Sequence, residues 1–293
     1  MGNPTKLRHI NKLEIVQKYH ETKSLKETAE FYNVDVMAIN YHLHKFNVER
    51  YPYDGHKYKC NPTVFSVIDN EEAAYWIGFL AADGSLLKDK PNKVTLTLAR
   101  KDREHITKFK AFLGAENPVL DYERNQSKSS LVKGSGPISS LAIDNPQIAA
   151  DLRSLGFSHD KTYSLKPPSG DQVPKHLLKH YWRGMIDGDG WLCYNPDKGY
   201  CSIILGLCGT KEICEGFKQF FNDNGCTLNP SPRHNKQSKS NYSIEIKGFK
   251  EVSNVLTLLY SGATVFLDRK YDKALQIIDS KPLPWGSTTG KRT

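Results

Sequence analysis

The chain has 293 residues, 38% hydrophobic and 25% charged, a balance that lets a folded core form and argues against a disordered or fibrous protein. Forty-one basic residues against 32 acidic ones leave a net charge of +9, which suits a polyanionic partner such as nucleic acid. No signal peptide and no apolar run of about eighteen residues occurs, so the reading is a soluble, intracellular protein with no membrane partner. The six cysteines (Cys60, Cys193, Cys201, Cys208, Cys214, Cys226) include no CxxC and no Cys/His ligand spacing, which argues for reduced thiols and against structural zinc.

Residues 1–10 are polar and basic. From Lys12 to Thr22 a helical period appears, with Leu13, Ile15, Val16 and Tyr19 grouped toward one side. Ser24 and Glu27 form the S-x-x-E capping signature of a second helix through Leu25, Thr28, Ala29 and Phe31. That helix stops at Asn33, a residue that tolerates positive φ, and Asp35 can cap a third carrying Val36, Ile39 and Leu43 inward. Small Ala29, turn residue Asn33 and apolar Val34, Ile39 and Leu43 resemble a helix-turn-helix. Its third helix would offer Asn40, His42, His44 and Lys45 to base edges and phosphates. The bland alternative is a three-helix packing module. Residues 1–50 are therefore expected to form a small all-α DNA-binding domain. Residues 51–70, rich in proline, tyrosine and basic side chains without a period, are expected to be a linker.

A repeat begins at residue 71. YWIGFLAADG (75–84) returns as YWRGMIDGDG (181–190), the same ten-residue frame with an aromatic pair, a glycine (Gly78, Gly184) and a closing Asp-Gly. After the first copy, 93–100 alternates as a half-buried strand and 102–113 is an amphipathic helix. Strands near 117–122 and 138–143 then flank a polar loop, and a helix spans 146–155. After the second copy come a strand or hairpin in 191–208, a helix at 211–223, strands near 226–230 and 242–247, a helix at 249–260 and a last one at 267–278. The order is that of two αββαββα halves, 71–168 and 169–280, followed by a basic tail, 281–293. We therefore expect an α+β fold whose two antiparallel sheets form a DNA-binding saddle, one face covered by helices and the other polar. The candidate DNA-facing residues are Thr95, Thr97 and Arg100 in the first half and Ser243, Glu245 and Lys247 in the second. Loop residues Arg124, Lys128, Lys133, Arg233, His234, Lys236 and Lys239 are candidates for phosphates and groove edges. Polar-out alternation is equally what any solvated sheet shows.

Two features of the repeated stretch are physically odd. Asp83 and Asp189 sit on the last turn of their helices, where the partial negative charge disfavours a carboxylate by a few tenths to ~1 kcal/mol unless a cation is beside it. The glycines that follow are expected in the left-handed conformation that ends a helix. Small residues also recur four apart, Gly78 with Ala82 and Gly184 with Gly188, although glycine costs ~1 kcal/mol against alanine in a helix interior. Close backbone approach of the two helices supplies a reason. It would bring Asp83 and Asp189 together as hard oxygen ligands for Mg²⁺, with the carbonyls of Ala82 and Gly188 as further donors. One Asp-Gly after an apolar run is ordinarily a turn, but two in one register change that reading.

These residues resemble the LAGLIDADG homing endonucleases in their single-chain, two-motif form. WIGFLAADG (76–84) and WRGMIDGDG (182–190) match the motif at its third, eighth and ninth positions. They depart from it at Trp in the first position, at Arg183 in the second and at Ala81 in the sixth, none of which touches the metal-binding acid. The resemblance implies a monomeric, Mg²⁺-dependent, site-specific double-strand DNA endonuclease in which Mn²⁺ can substitute, with a long, weakly palindromic target and a short 3′ overhang. It also implies a basic catalytic residue near each metal position. These fall on Lys161 and Lys270, with Arg269 as the fallback for the second. The alternatives are a catalytically silent transcription regulator or an intron RNA maturase on the same fold. No splicing block or terminal His-Asn suggests an intein, and a free-standing protein is expected.

Overall fold

The computed structural model describes residues 10–22, 24–48, 58–123, 136–194, 203–235 and 241–280. The chain divides into two compact units, Met1–Lys57 and Tyr58–Thr293. No described helix is long and apolar enough to cross a membrane.

The first unit packs α1 (Lys12–Thr22), α2 (Leu25–Phe31) and α3 (Val36–Lys45) around Ile15, Tyr19, Ala29, Ile39 and Leu43. Its boundaries follow from local chemistry. Ser24 Oγ accepts the Glu27 amide at 3.3 Å, Asn33 takes φ +52°, and Asp35 Oδ1 accepts the Met37 amide at 2.7 Å. Leu13, grouped with the inward residues by its period, instead points to solvent.

The second unit runs α4 (Glu71–Asp83), β1 (Gly84–Leu86), β2 (Lys93–Ala99), α5 (Arg103–Phe112), β3 (Leu120–Tyr122), β4 (Ile138–Asp144) and α6 (Pro146–Ser154). A short α7 (Lys161–Ser164) leads to the second half: α8 (Leu178–Asp189), β5 (Gly190–Cys193), β6 (Ile204–Gly209), α9 (Lys211–Asp223), β7 (Arg233–His234), β8 (Tyr242–Lys247) and α10 (Phe249–Tyr260). Helix α11 (Asp268–Asp279) closes the described chain. Each half holds a four-stranded antiparallel sheet, in the orders β1-β2-β4-β3 and β5-β6-β8-β7. Side-chain alternation decides the two faces. Val94, Leu96, Leu98, Leu141 and Ile143 turn into the core beside Ile106, Phe109 and Ile148, while Thr95 and Thr97 face away. Leu205, Leu207, Ile244 and Ile246 do the same beside Phe217, Phe221 and Val255.

Three expectations are corrected. Residues 58–70 are not a free connector: Phe65 and Ile68 are buried in the core, and the Asn61 amide donates to the Leu113 carbonyl at 2.8 Å. No strand forms at 226–230; β7 begins at Arg233, after Pro230 and Pro232, which cannot donate to a ladder. Cys226 and Leu228 are buried there instead, and the Asn222 side chain holds Leu228 through both its backbone N–H (2.6 Å) and its C=O (3.2 Å). Finally, Gly84 and Gly190 are extended (φ −72° and −85°) rather than left-handed, and lead straight into β1 and β5. Glycine is needed there for space, since a methyl at either position would lie 2.6 Å from the Leu80 carbonyl oxygen or 2.5 Å from that of Ile186.

Helices α4 and α8 lie against each other along the centre of the unit. A methyl at Gly78 would overlap the Tyr181 carbonyl, one at Gly184 the Tyr75 carbonyl, and one at Gly188 the Ala82 side chain. The small residues therefore do permit backbone contact between the motif helices. Gly78→Val should lower the unfolding free energy by about 3 kcal/mol or more, because the obstructing atoms are backbone and cannot turn aside. Gly170→Ala, where no atom lies within 4 Å, should change it by less than about 0.5 kcal/mol. Equal effects in urea titrations would contradict the close packing.

Candidate active site

Backbone contact between α4 and α8 sets their two C-termini side by side. A methyl on Gly188 would come within 3.2 Å of Asp83 Oδ2, so the first acid lies beside the residue preceding the second. Burial pushes the Asp83 carboxyl up to about 6, and the neighbouring Asp189 charge adds to the rise against the opposing pull of Lys270 and Lys161. Asp189 is also raised by burial, with Lys161 and then Lys270 pulling it down. Asp189 keeps solvent access while protein crowds most of its sides, as fits the floor of an open concavity.

The two lysines complete the arrangement. Lys161 Nζ donates to the carbonyls of Ala81 and Ala82, each at 2.6 Å, at the end of α4. Lys270 Nζ shares its three N–H among the carbonyls of Ile186 (2.6 Å), Asp187 (2.8 Å), Gly188 (3.4 Å) and Gly190 (2.5 Å) at the end of α8 and the start of β5. The carbonyls of Ala81 and Ala82 on α4 and of Asp187 and Gly188 on α8 have no partner within their helices, whereas Ile186 also accepts the Gly190 amide and Gly190 belongs to β5. Each ammonium sets a cation where the helix dipole and the acid both require one. The Ala82 and Gly188 oxygens, expected as metal ligands, already accept from these lysines, so each has one lone pair engaged. Burial lowers Lys161, and brings Lys270 down to about 8.

Each lysine-bearing segment also leans on the other half. The Leu165 carbonyl after α7 accepts from Thr210 Oγ1 at 2.7 Å, at the start of α9. Helix α11 is tied to the start of α5 by Arg269, which bonds Asp102 through Nε (2.8 Å) and Nη2 (3.0 Å), and by Lys108 to Asp268 (2.5 Å). Arg269 is thereby a structural tie rather than a free site cation. A cavity of about 190 Å³ brings Lys161 and Asp189 together with Met185, Cys208, Thr210 and Asn241.

Among the described residues no group of three or more His, Cys, Asp or Glu side chains could hold a metal ion. What the site offers is a pair of hard carboxylates and nearby carbonyl oxygens. A hard divalent cation that keeps several waters fits that donor set.

The other candidate residues are dispersed. On α3, His44 and Lys45 are exposed while Asn40 and His42 are half-buried. On the open face of the first sheet, Thr97 Oγ1 meets Ser140 Oγ at 2.8 Å, Thr95 pairs across with Ala142, and Arg100 is bound to Glu123 at 2.7 Å. In the second sheet Arg233 pairs across with Ser243, His234 lies against Tyr242, and Lys247 meets Glu245 at 3.0 Å. Arg124, Lys128, Lys133, Lys236 and Lys239, and the tail 281–293, lie outside the described residues.

Three residues escaped the sequence reading. Trp191 spreads its indole over Gly206 on the open face of the second sheet, where any larger residue would collide with the ring. Asp187 is buried and accepts from Tyr75, Tyr260 and the Leu267 amide. His105 backs this group: since the Tyr75 proton goes to Asp187, His105 must donate from Nε2 to Tyr75 Oη at 2.9 Å. Burial pushes His105 down to about 3, which keeps it neutral. The available signal for Asp187 was an acid at the place where the first copy has alanine, Ala81.

Two pseudo-symmetric halves joined through two glycine-packed helices, each half an αββαββα unit, constitute the LAGLIDADG α+β fold in its single-chain form. The homing endonuclease I-WcaI bound to its DNA recognition sequence is similar at a TM-score of 0.50 and 16% identity, over 70% of this chain and 87% of that one. The meganuclease I-SmaMI bound to uncleavable DNA is similar at 0.44 and 10%, over 72% and 88%. The N-terminal LAGLIDADG domain of DUF199/WhiA follows at 0.40 and 16%, over 73% and 92%. At these identities the likeness concerns the fold. No protein-family model and no curated protein matches the chain.

The raised Asp83 carboxyl has a stability consequence with a definite sign. A folded-state value of about 6 lies above the ordinary value of 3.8, so this group's contribution is fully present below about 4 and is lost as pH rises through 6. With chelator at pH 8, Asp83→Asn should therefore be more stable than the parent by about 1–3 kcal/mol. A less stable variant in urea titrations would contradict the crowding of the two acids.

Proposed function

We propose that the protein is a site-specific double-strand DNA endonuclease that hydrolyses phosphodiesters with divalent cations held between Asp83 and Asp189. The observation that carries this reading is the paired acids at the two helix ends, each end crossed by a lysine. A bound divalent cation would supply charge neutralisation at the scissile phosphate, an activated water and stabilisation of the 3′ leaving oxygen. The chain's own residues do the rest. Asp83 and Asp189 bind and orient from two pseudo-symmetric halves, matching the two strands of a duplex. Lys161 and Lys270 hold positive charge beside the acids, where it can steady a phosphate approaching two carboxylates. Both acids being present speaks against a silent regulator.

The open sheet faces, with Thr95, Thr97 and Arg100 in one half and Arg233, Ser243 and Lys247 in the other, are proposed to line the duplex, with α3 of the N-terminal unit as a separate DNA contact in the manner of a helix-turn-helix. The net charge of +9 supports a polyanionic partner of this kind. The protein is proposed to act as a monomer, because both halves of the acid pair reside in one chain.

DNA spanning the uninterrupted allele of the protein's own genomic locus should be cut on both strands with Mg²⁺ and left intact with chelator. Asp83→Asn or Asp189→Asn should abolish double-strand cleavage while binding changes little; undiminished cutting by either variant would reject the assignment. Lys45→Ala should weaken DNA binding about equally across sequences and reduce the slope of log K against log salt by about 1. An unchanged slope would remove α3 from the interface.

A further inference from the structure

The second motif copy differs from the first in carrying Arg183 where the first has Ile77, and Asp187 where the first has Ala81. Both charged residues are buried, with Arg183 wholly inaccessible and Asp187 1% exposed, and they stand one turn apart on α8. A buried charge is strongly unfavourable unless it is paired and hydrogen-bonded, so where its partners lie shows what it holds.

The partners converge on the segment that leads into α11. Arg183 donates to the carbonyls of Leu259 (Nη1, 2.9 Å) and Val265 (Nε, 2.9 Å), and to Glu71 (Nη2, 2.6 Å). Glu71 in turn accepts the Thr264 amide at 2.8 Å. Asp187 Oδ1 accepts from Tyr260 Oη at 2.6 Å, and Oδ2 accepts from Tyr75 Oη and the Leu267 amide, both at 2.8 Å. Three residues after Leu267, Lys270 reaches back to the carbonyl of the same Asp187. One residue therefore holds both ends of the turn that carries the lysine.

Among the described residues the first half has no such latch: the side chains of Ile77 and Ala81 offer no polar atom, α7 has only four residues against twelve in α11, and Lys161 meets two carbonyls where Lys270 meets four. Lys270 is 6% exposed, whereas Lys161 is half-buried, and each lines a cavity of its own.

We propose that Arg183 and Asp187 are positioning residues that lock α11 and pre-set Lys270, leaving Lys161 adjustable, so that the two strands of a duplex are cut at unequal rates. The end served by Lys270 is the faster, since its charge is already in place before DNA arrives. The strand order rests on the endonuclease reading; the locking of Lys270 does not.

The experiment has two arms. In the first, the full-length protein without DNA or metal is reductively methylated and the lysines are quantified by mass spectrometry. Lys270 should react about tenfold more slowly than Lys161, in line with the slower local opening of a latched element. Asp187→Asn should bring Lys270 toward the rate of Lys161 while leaving Lys161 unchanged, and Tyr260→Phe, which removes one bond and keeps the ring, should move it part of the way. Equal rates in the parent, or a Lys270 rate that neither variant changes, would overturn the latch. In the second arm, supercoiled plasmid carrying the cut site is followed with Mg²⁺. The parent should accumulate nicked circles with the nick confined to one strand, and Asp187→Asn should lose that bias. A variant slowed equally on both strands with the bias intact would show a merely structural role and overturn the strand order, as would a parent that nicks both strands at the same rate. A parent that cuts neither strand would overturn the endonuclease reading and the strand order together, with the labelling arm still deciding the latch.

Discussion

Backbone contact between α4 and α8 is the constraint on which the rest depends. Side chains ordinarily keep helix axes about 8–10 Å apart, and residues with no Cβ or a single methyl let them come closer. Gly78 under the Tyr181 carbonyl and Gly184 under that of Tyr75 leave no room for anything larger. Because the contact continues to Ala82 and Gly188, the two halves end their helices together and each delivers its acid to one place. The glycines after the acids then turn each half directly into a strand, so each sheet begins where the site ends. Site and scaffold are therefore one construction: the residues that allow the helices to meet also fix where the acids stand.

That meeting creates an electrostatic problem, and the lysines answer it. Two helix C-termini and two carboxylates put partial and full negative charge into one crowded place, and burial, with the neighbouring Asp189 charge adding to it, pushes Asp83 up to about 6. Lys161 and Lys270 cover the exposed carbonyls, and each is borne by a segment anchored on the opposite half, through Thr210 in one case and Asp102 with Lys108 in the other. Under the proposed function, a divalent cation would share in that compensation at the two carboxylates.

The parts of this arrangement that were legible in the sequence are those written as repetition or period. The ten-residue frame with its Asp-Gly, the alternation of Val94, Leu96 and Leu98, and the caps at Ser24 and Asp35 each encode their structure locally. The lysines could be placed only through the family resemblance, because the 80 residues between Lys161 and Ala81 leave no local trace of their hydrogen bond. The failures share a cause. The glycines after the acids were assigned a backbone torsion when they answer to a steric contact, and the strand expected at 226–230 gave way to two prolines and the side chain of Asn222. Phe65 and Ile68 looked like part of a connector because their burial comes from tertiary contact rather than from any period of their own. Asp187 and Arg183 were visible as exceptions to a motif, but their meaning lies in a segment about 75 residues away that no pattern in the helix announces.

The pseudo-symmetry thus holds in the order of motif helix and sheet strands and is broken in the side chains and in the lysine-bearing helix, four residues in α7 against twelve in α11. Matching motif helices and sheets carry unequal clamps, and the acids remain the shared element. The most direct measurement is anomalous diffraction from crystals grown with Mn²⁺. The account predicts density for the ion between the carboxylates of Asp83 and Asp189, lost in Asp189→Ala. Ordered crystals with both carboxylates well defined, no ion between them and the two side chains directed apart would contradict it.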